Sequence, residues 1–201
     1  MIEKFKMIII EDHPIMREGL ADYFQSSDRW QVAGKAANLE EAKKLLICTL
    51  PDILLIDIQL DDGWGIDIIP WMKQHKHGSM PVTAVYSMFE DYAHVNVALS
   101  MGVRAYVSKR RNEQELEQSL LNAMQGNICI DDSVQANICM SADIIRLLTK
   151  REYEILKFVK TGFSNKEIAG MLGISYRTVE NILSCIYDKT NVKSRLELQK
   201  L

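Results

Sequence analysis

Five polar residues in the first half of the chain have side chains that could together carry out phosphoryl chemistry. They are the carboxylates of Glu11, Asp12 and Asp57, the hydroxyl of Ser87 and the ammonium of Lys109. Carboxylates that lie close together repel one another unless a cation joins them, and a hard divalent ion with few protein ligands suits Mg²⁺. With part of the charge neutralised, Asp57 can attack an electrophilic phosphorus atom. Ser87 can donate a hydrogen bond to one phosphoryl oxygen, and Lys109 can pair with another.

All five residues lie where short apolar runs end. The runs occupy residues 7–10, 53–56, 82–86 and 105–108. Runs of this length and β-branched content, separated by stretches of helical period, are typical of buried parallel strands that alternate with helices. Ligands bind beyond the carboxyl ends of such strands, so the five residues are predicted to form one pocket. The alternative is that each one separately caps a helix or lies in a loop, but their shared position at strand ends favours a pocket.

Residues 1–126 resemble the receiver domain of two-component response regulators. The resemblance rests on Glu11-Asp12, the segment DIQLDDGWG at 57–65, Ser87, Tyr106 and Lys109. It implies an α/β fold with a doubly wound, five-stranded parallel sheet of the flavodoxin-like kind. It also implies that Asp57 is a phosphoacceptor that takes phosphate from a sensor histidine kinase when Mg²⁺ is bound.

The same resemblance implies a role for each residue of the pocket. The metal ligands would be Asp12, Asp57 and the main-chain carbonyl of Gln59, with Glu11 holding a water molecule. On phosphorylation, the hydroxyl of Ser87 would move toward the phosphoryl group and the ring of Tyr106 would turn inward. Lys109 would pair with a phosphoryl oxygen.

Four positions depart from the pattern of this family. Asp61 and Arg110 stand where many relatives have proline, and Met88 stands where most have a small residue, followed by Phe89. None of these changes removes a chemical group that the mechanism needs. Bulky apolar side chains beside the pocket would hinder water or a phosphatase from reaching the acyl phosphate. The hypothesis that follows is a slowly decaying phosphorylated form.

Charge and length indicate two domains with different partners. The chain has 201 residues, enough for one large or two small domains. Residues 1–145 carry a net charge of −8 and residues 146–201 one of +5. A small basic domain favours a polyanionic partner. Glycine and polar residues after position 124 predict a break, which divides the chain into a receiver (1–126), a linker (127–145) and a second domain (146–201).

The sequence also predicts where the protein is found. No apolar run approaches the roughly eighteen residues that a membrane span needs, and the amino terminus lacks the apolar stretch of a signal peptide. The four cysteines are scattered, without a CxxC pair. Free, mostly buried thiols fit a reducing compartment, so we expect a cytoplasmic protein with no membrane partner.

The second domain is predicted to be small and all-α. Three capping boxes mark helix starts, at Thr149-x-x-Glu152, Ser164-x-x-Glu167 and Ser194-x-x-Glu197. Ser175 is a plausible N-cap of a further helix that follows the turn at residues 172–174. Two short helices joined by such a turn make a helix-turn-helix, whose second helix would lie in the major groove of double-stranded DNA.

Residues 146–201 resemble the LuxR/NarL-type DNA-binding domain. The resemblance rests on the segments at 148–152 and 164–169, on Leu172-Gly173-Ile174-Ser175 and on Thr178-Val179. It implies that base contacts fall to Glu180, Asn181 and Ser184. Phosphate contacts would fall to Lys166, Arg177, Thr178 and Lys189.

The predicted recognition helix departs from the family pattern at several positions. Glu180 stands where relatives often have lysine, and Thr190-Asn191 replaces an expected Leu-Gly. A carboxylate repels DNA phosphates, although glutamate can accept a hydrogen bond from cytosine and Asn181 can pair with adenine. We therefore expect an unusual sequence preference with modest non-specific affinity. The alternative is that the domain is a protein-binding or dimerisation module, since a fold does not fix function.

Together the two halves predict a transcription regulator whose DNA binding is switched by phosphorylation of Asp57. Phosphorylation would bias an equilibrium between two states and promote a homodimer on a two-fold DNA site. The helix after Ser194 would supply the dimer contact through Leu196 and Leu198, or those residues would belong to the core. The alternative is a regulator whose output is protein binding, or one that dimerises and works without phosphorylation. A phosphatase-type enzyme is disfavoured because no second general acid follows Asp57, so we expect no catalysis beyond slow self-dephosphorylation.

Overall fold

The computed structural model describes residues 4–75, 79–135 and 147–200. The chain divides into two structural units after Gln135. Most of the predicted linker, residues 127–145, lies outside the described residues. The domain boundaries at 126 and 146 therefore stay predictions.

The first unit alternates strands with helices. Its strands are β1 (Phe5–Ile10), β2 (Trp30–Ala36), β3 (Ile53–Ile56), β4 (Gln59–Leu60), β5 (Gly63–Trp64), β6 (Val82–Ser87), β7 (Ala105–Ser108) and β8 (Cys129–Ile130). Its α-helices are α1 (Pro14–Ser26), α2 (Leu39–Cys48), α3 (Ile68–His75), α4 (Tyr92–Met101) and α5 (Glu113–Met124). A 3₁₀ turn, Gly65–Asp67, leads into α3.

The main sheet is parallel, in the order β2-β1-β3-β6-β7-β8, while β4 and β5 form a separate antiparallel hairpin. The winding direction reverses between β1 and β3, which confirms the doubly wound architecture. The prediction of five strands was wrong by one, because β8 adds a sixth. This two-residue strand carries no apolar run that could reveal it, and it is held by hydrogen bonds from Cys129 N to Arg104 O and from Asp131 N to Tyr106 O.

The register of the inner strands brings their carboxyl ends together. Ile10 of β1 pairs with Ile56 of β3, and Ile56 pairs with Val85 of β6. β3 and β7 are buried along their whole length, as expected for strands covered on both faces. Glu11, Asp57 and the residues after β6 and β7 therefore emerge side by side at one edge of the sheet.

The second unit consists, in its described part, of α6 (Lys150–Lys160), α7 (Asn165–Leu172), α8 (Tyr176–Thr190) and α9 (Arg195–Lys200). The capping boxes that start α6 and α7 are confirmed, and Ser175 caps α8 by accepting a hydrogen bond from Thr178 N. At α9 the box is half formed. Ser194 Oγ accepts from Glu197 N, whereas the Glu197 carboxylate accepts from Lys193 N.

Apolar side chains from all four of these helices share one core. It includes Ile155, Ile168, Val179 and Leu183, and Leu198 of α9 is fully buried among them. Leu196, by contrast, is 63% exposed. Of the two residues considered for a dimer contact, Leu198 therefore belongs to the core and Leu196 lies on the surface.

Among the helices described, none has the length and apolar character required to cross a membrane.

Candidate phosphoryl pocket and recognition helix

Lys109 joins two carboxylates at the carboxyl edge of the sheet. Its Nζ lies 2.6 Å from Asp57 Oδ2 and 2.7 Å from Glu11 Oε2. All three side chains are almost completely buried. Burial disfavours the charged ammonium, but the hydrogen bonds and charges of Asp57 and Glu11 outweigh it, so the pKa of Lys109 is raised. The ammonium therefore stays charged and neutralises part of the acidic pocket.

Main-chain contacts fix the carboxylate of Asp57 in this position. Asp57 N donates to Ile10 O at 2.9 Å, and Gly65 N donates to Ile58 O at 2.7 Å. A Cβ atom on Gly65 would lie 1.9 Å from Asp57 O, much closer than any non-bonded contact allows. Only glycine therefore lets the β4–β5 hairpin fold back directly against the acceptor residue.

Glu11, Asp12, His13 and Asp57 form a cluster that fits a divalent cation. One ligand atom from each lies within 4.8 Å of the others. Asp12 Oδ1 is buried and accepts no hydrogen bond, although His13 Nδ1 lies 2.8 Å away in an unfavourable direction. A buried carboxylate oxygen without a hydrogen-bond donor is costly unless a cation is near it. Carboxylate oxygens are the ligands of Mg²⁺, so the donor set matches the predicted metal.

The cluster opens into a cavity of about 430 Å³. Its walls carry the predicted pocket residues Asp12, Asp57, Gln59, Ser87 and Lys109, together with His13, Leu60, Asp61, Met88 and Phe89. The sheet thus brings together the residues that sequence analysis assigned to one site. Gln59 lies on β4, at the side of the cavity that the hairpin forms.

Ser87 and Tyr106 lie next to the loop that follows β6. Ser87 is buried, and its Oγ accepts a hydrogen bond from Phe89 N at 3.4 Å. The ring of Tyr106 is fully buried, and its hydroxyl donates to Phe89 O at 2.6 Å. Burial raises the pKa of the Tyr106 hydroxyl, which is therefore neutral and a donor at physiological pH. Both predicted switch residues contact the same main-chain segment.

In the second unit, α8 presents a polar face opposite its buried stripe. Val179, Leu183 and Ile186 are buried, whereas the predicted contact residues Arg177, Thr178, Glu180, Asn181 and Ser184 are exposed. Lys166 is exposed on α7. Spacings of three and four residues bring Arg177, Glu180, Asn181 and Ser184 onto one face of the helix.

Lys189 differs from the other predicted contacts. Its Nζ lies 2.7 Å from Glu152 Oε2, and Glu152 also accepts a hydrogen bond from Thr149 N at 2.6 Å. The hydrogen bond from Lys189 lowers the pKa of Glu152. A phosphate contact by Lys189 would have to compete with this ion pair between α6 and α8.

Both halves of the chain match known protein families. Residues 7–121 match the response regulator receiver domain, and residues 146–201 match the LuxR family of bacterial regulatory proteins. The chain belongs to the response regulators. The response regulators are a family of regulators rather than of classical enzymes.

Relatives of this response regulator match it from end to end. The transcriptional regulatory protein YdfI of Bacillus subtilis is 28% identical over 200 residues, which cover 96% of this chain and 92% of YdfI. A structure of two RcsB dimers bound to two parallel DNAs has a TM-score of 0.75 at 22% identity and covers 98% of this chain and 97% of RcsB. RcsB from Salmonella enterica serovar Typhimurium, bound to a promoter in the presence of phosphomimetic BeF₃⁻, has a TM-score of 0.74 at 22% identity, with coverages of 98% and 97%. At this identity the two structures support the fold.

One ion pair of the response regulator was missed by the sequence analysis. Arg111 donates to Asp131 through two parallel hydrogen bonds of 2.7 Å, and Tyr86 Oη donates to Arg111 O at 3.1 Å. Arg111 and Asp131 flank α5 and β8. No spacing in the sequence relates them, because their contact depends on the unforeseen sixth strand.

Proposed function

We propose that this response regulator is a transcription regulator whose binding to double-stranded DNA is switched by phosphorylation of Asp57. The observation that carries the proposal is the buried Lys109 ammonium, which bonds Asp57 and Glu11 at once. Such an ammonium orients the acceptor carboxylate and later pairs with a phosphoryl oxygen. The donor is a sensor histidine kinase, and with these partners we expect the protein to act in the cytoplasm.

In the phosphorylation step, a carboxylate oxygen of Asp57 bonds to the phosphorus of a phosphohistidine. The bond from phosphorus to the imidazole nitrogen breaks, and its electrons stay on that nitrogen. Asp12, Asp57 and the main-chain carbonyl of Gln59 would hold Mg²⁺, with Glu11 holding a water molecule, and the ion would neutralise charge on the transferred group. Ser87 rotates to donate a hydrogen bond to one phosphoryl oxygen, and Lys109 moves from the carboxylate pair toward another.

The same movement would reach the segment that leads to the second unit. Lys109 lies two residues before Arg111, and Arg111 holds Asp131 after β8. Tyr106 O accepts the main-chain hydrogen bond of Asp131 N, so Lys109, through Arg111, and Tyr106 are both connected to Asp131. We expect phosphorylation to shift this connection, as a differential contact that biases two states.

On the DNA side, α8 enters the major groove. Glu180, Asn181 and Ser184 read base edges, while Lys166, Arg177 and Thr178 contact phosphates, joined by Lys189 if its pair with Glu152 opens. Two copies bind a two-fold site as a homodimer that phosphorylation promotes. Self-dephosphorylation is slow because Met88 and Phe89 line the cavity beside Asp57.

Selection of duplexes from a random pool tests the proposal. The purified chain is compared with Asp57→Ala, each with and without acetyl phosphate and Mg²⁺. We expect a two-fold site to be enriched more strongly after phosphorylation, and the phosphodonor to have no effect on Asp57→Ala. Selective DNA binding that is the same with and without phosphorylation would contradict the proposed switch but not the DNA binding.

The second candidate is a protein-binding output. It is favoured by the exposed carboxylates of Glu180 and Asp188 on α8 and by the engagement of Lys189 with Glu152. A helix with these charges attracts DNA weakly. The absence of any selected duplex, in either phosphorylation state, would favour this candidate.

A further inference from the structure

Three aromatic rings stack in a row beside the phosphoryl pocket. The ring of His94, on α4, lies between Trp64 of β5 and Phe89 of the loop after β6. Its centroid is 5.1 Å from that of Trp64, with an interplanar angle of 11°, and 4.5 Å from that of Phe89, with an angle of 25°. His94 Nδ1 is also hydrogen-bonded to Asp91 Oδ2.

The two outer rings belong to two elements that contribute residues to the cavity wall, the β4–β5 hairpin and the loop after β6. Trp64 pairs across the hairpin with Gln59, which lines the cavity and belongs to the proposed metal site. Phe89 itself lines the cavity, two residues after Ser87. The stack therefore connects the hairpin wall to the wall that carries the switch hydroxyl.

The main chain of Phe89 is also held in place, by two hydrogen bonds. Phe89 O accepts the hydrogen bond from Tyr106, and Phe89 N donates to Ser87 Oγ. Asp91 caps α4 by accepting hydrogen bonds from Ala93 N and His94 N, which fixes the start of the helix that carries His94. Phe89 and Asp91 of the loop after β6 thus have hydrogen-bond partners, and the rings add a contact with the hairpin.

We propose that Trp64, His94 and Phe89 form an aromatic clasp that holds the Ser87 loop against the β4–β5 hairpin and slows hydrolysis of the phosphoryl group on Asp57. The inference rests on the proposed function and extends it, because it assigns a positioning role to His94 and Trp64, which do not line the cavity. They act through Phe89, whose ring covers part of the approach to Asp57.

Hydrolysis is the step that the clasp retards. The oxygen of a water molecule bonds to phosphorus, and the bond between phosphorus and the Asp57 oxygen breaks. The electron pair returns to the carboxylate, the water gives up a proton to solvent, and inorganic phosphate leaves. Water needs access opposite the Asp57 oxygen, and a loop held by the clasp reduces the fraction of time for which that access is open.

The experiment compares the lifetime of the acyl phosphate in four forms of the full chain: wild type, His94→Ala, His94→Phe and His75→Ala. Each is phosphorylated with acetyl phosphate and Mg²⁺, freed of the donor by gel filtration, and followed by intact mass. His75 is the matched control, because it stacks on Trp71 at 4.9 Å within α3, and neither residue lines the cavity.

We expect the half-life of His94→Ala to fall by about two- to tenfold, the range that aromatic pairs of this kind support. His94→Phe keeps a ring in the stack and should restore most of the lifetime, while His75→Ala should match wild type. Hydrogen exchange of amides 88–91, without phosphodonor, gives an independent readout and should be faster in His94→Ala alone.

Three outcomes would overturn the clasp. A half-life of His94→Ala equal to that of wild type would do so, as would a half-life of His94→Phe as short as that of His94→Ala. Exchange at 88–91 that is unchanged in His94→Ala would show that the loop is not held by the stack. A wild-type chain that acquires no phosphate would instead refute the proposed function, and the clasp as a guard of phosphate would fail with it.

Discussion

The phosphoryl pocket and the outer face of α8 are both polar, but they differ in where their partners come from. In the pocket, Lys109 lies within 2.7 Å of Asp57 and Glu11, and the side chains come from separate strands. On α8, Glu180, Asn181 and Ser184 come from one helix and are exposed to solvent. The groups of the pocket thus find their partners within the fold, whereas the polar side chains on the outer face of α8 remain exposed to solvent.

This difference explains why the two sites respond differently to sequence change. A buried group whose partner is removed costs the full desolvation penalty, so the pocket tolerates few substitutions. An exposed group on one helix costs little to change, so the face of α8 is free to alter its specificity without loss of the fold. The departure at Glu180 belongs to this second kind.

The substitution with the largest predicted effect disrupts the pocket. Gly65→Ala forces the hairpin away from Asp57, because the added methyl group would lie 1.9 Å from Asp57 O. We expect a loss of about 3 kcal/mol or more of unfolding free energy, together with loss of phosphorylation. Urea unfolding and acyl-phosphate yield measure the two.

Gly19→Ala is the control for this prediction. A Cβ atom at Gly19, which lies within α1, meets no atom within 4 Å. We expect the variant to be stabilised by up to about 1 kcal/mol and to be phosphorylated normally. A Gly65→Ala variant as stable as Gly19→Ala would show that the hairpin adapts and that the close approach is not required.

The pocket is predictable from the sequence because its residues follow a topological rule. Glu11, Asp57, Ser87 and Lys109 follow apolar runs, and the carboxyl ends of parallel strands meet at one edge. No comparable rule connects Trp64 with His94, or Arg111 with Asp131. Those contacts depend on how the hairpin and the short β8 fold back on the sheet, and a two-residue strand gives no periodic signal.

The role of Lys189 shows the same limit in the second unit. The resemblance implies a phosphate contact, and the residue type is suitable for one. Its pair with Glu152 becomes visible only when α6 and α8 are packed together, because the two residues are far apart in the sequence. The capping boxes that start α6 and α7 were predicted correctly, since they involve residues only three apart.

A second prediction concerns the ion pair next to the pocket. The hydrogen bonds from Arg111 lower the pKa of Asp131 to about 2, against about 4 for an unfolded chain. Because the pKa of Asp131 is lower in the folded state than in the unfolded state, the ionised carboxylate stabilises the fold above pH 4. This contribution is lost as the pH falls toward 2. We expect about 2 kcal/mol from this pair, so Asp131→Asn should lower stability by that amount at pH 7.

Urea unfolding at pH 7 and at pH 3 checks this prediction. The difference between wild type and Asp131→Asn should shrink at the lower pH, where the carboxylate of the unfolded wild-type chain is largely protonated. Asp132→Asn serves as the neighbouring control, and we expect it to be nearly neutral. Equal differences at both values of pH would mean that the pair contributes through packing rather than through charge.

The third prediction concerns the outer face of α8. Glu180→Lys replaces a carboxylate that repels phosphates with an ammonium that attracts them, on an exposed face of α8. We expect several-fold stronger non-specific DNA binding, and a plot of log K against log salt that is steeper by about 1. Stability should change by less than about 0.5 kcal/mol, because the side chain is exposed.

Asp28→Lys is the matched control for charge. It changes the net charge by the same amount, at an exposed position of the turn between α1 and β2. Titration of a random duplex at several salt concentrations should leave its slope near that of wild type. An equal gain in both variants would mean that net charge, rather than the face of α8, governs non-specific binding.

The smallest predicted effect concerns the end of α8. Asn191 has a φ of 54°, in the left-handed region, at the position where the family resemblance leads us to expect glycine. Asparagine adopts this conformation at lower cost than most residues, which explains why it can replace glycine there. Asn191→Gly should therefore be neutral or stabilising by about 0.5 kcal/mol, whereas Asn191→Ala should be destabilising by about 1 kcal/mol.

Asp188→Ala gives the matched comparison, because it removes a polar side chain from the same helix at an ordinary helical φ. There alanine should be neutral or slightly stabilising, since it has a higher helix propensity and removes a negative charge from the last turn. Thermal unfolding of the three variants separates the two effects. If alanine were tolerated equally well at 188 and at 191, the left-handed residue would not set the end of α8. The position at which α8 ends could then vary as well as the side chains on its outer face. The contrast with the pocket, whose buried groups depend on one another, would be greater.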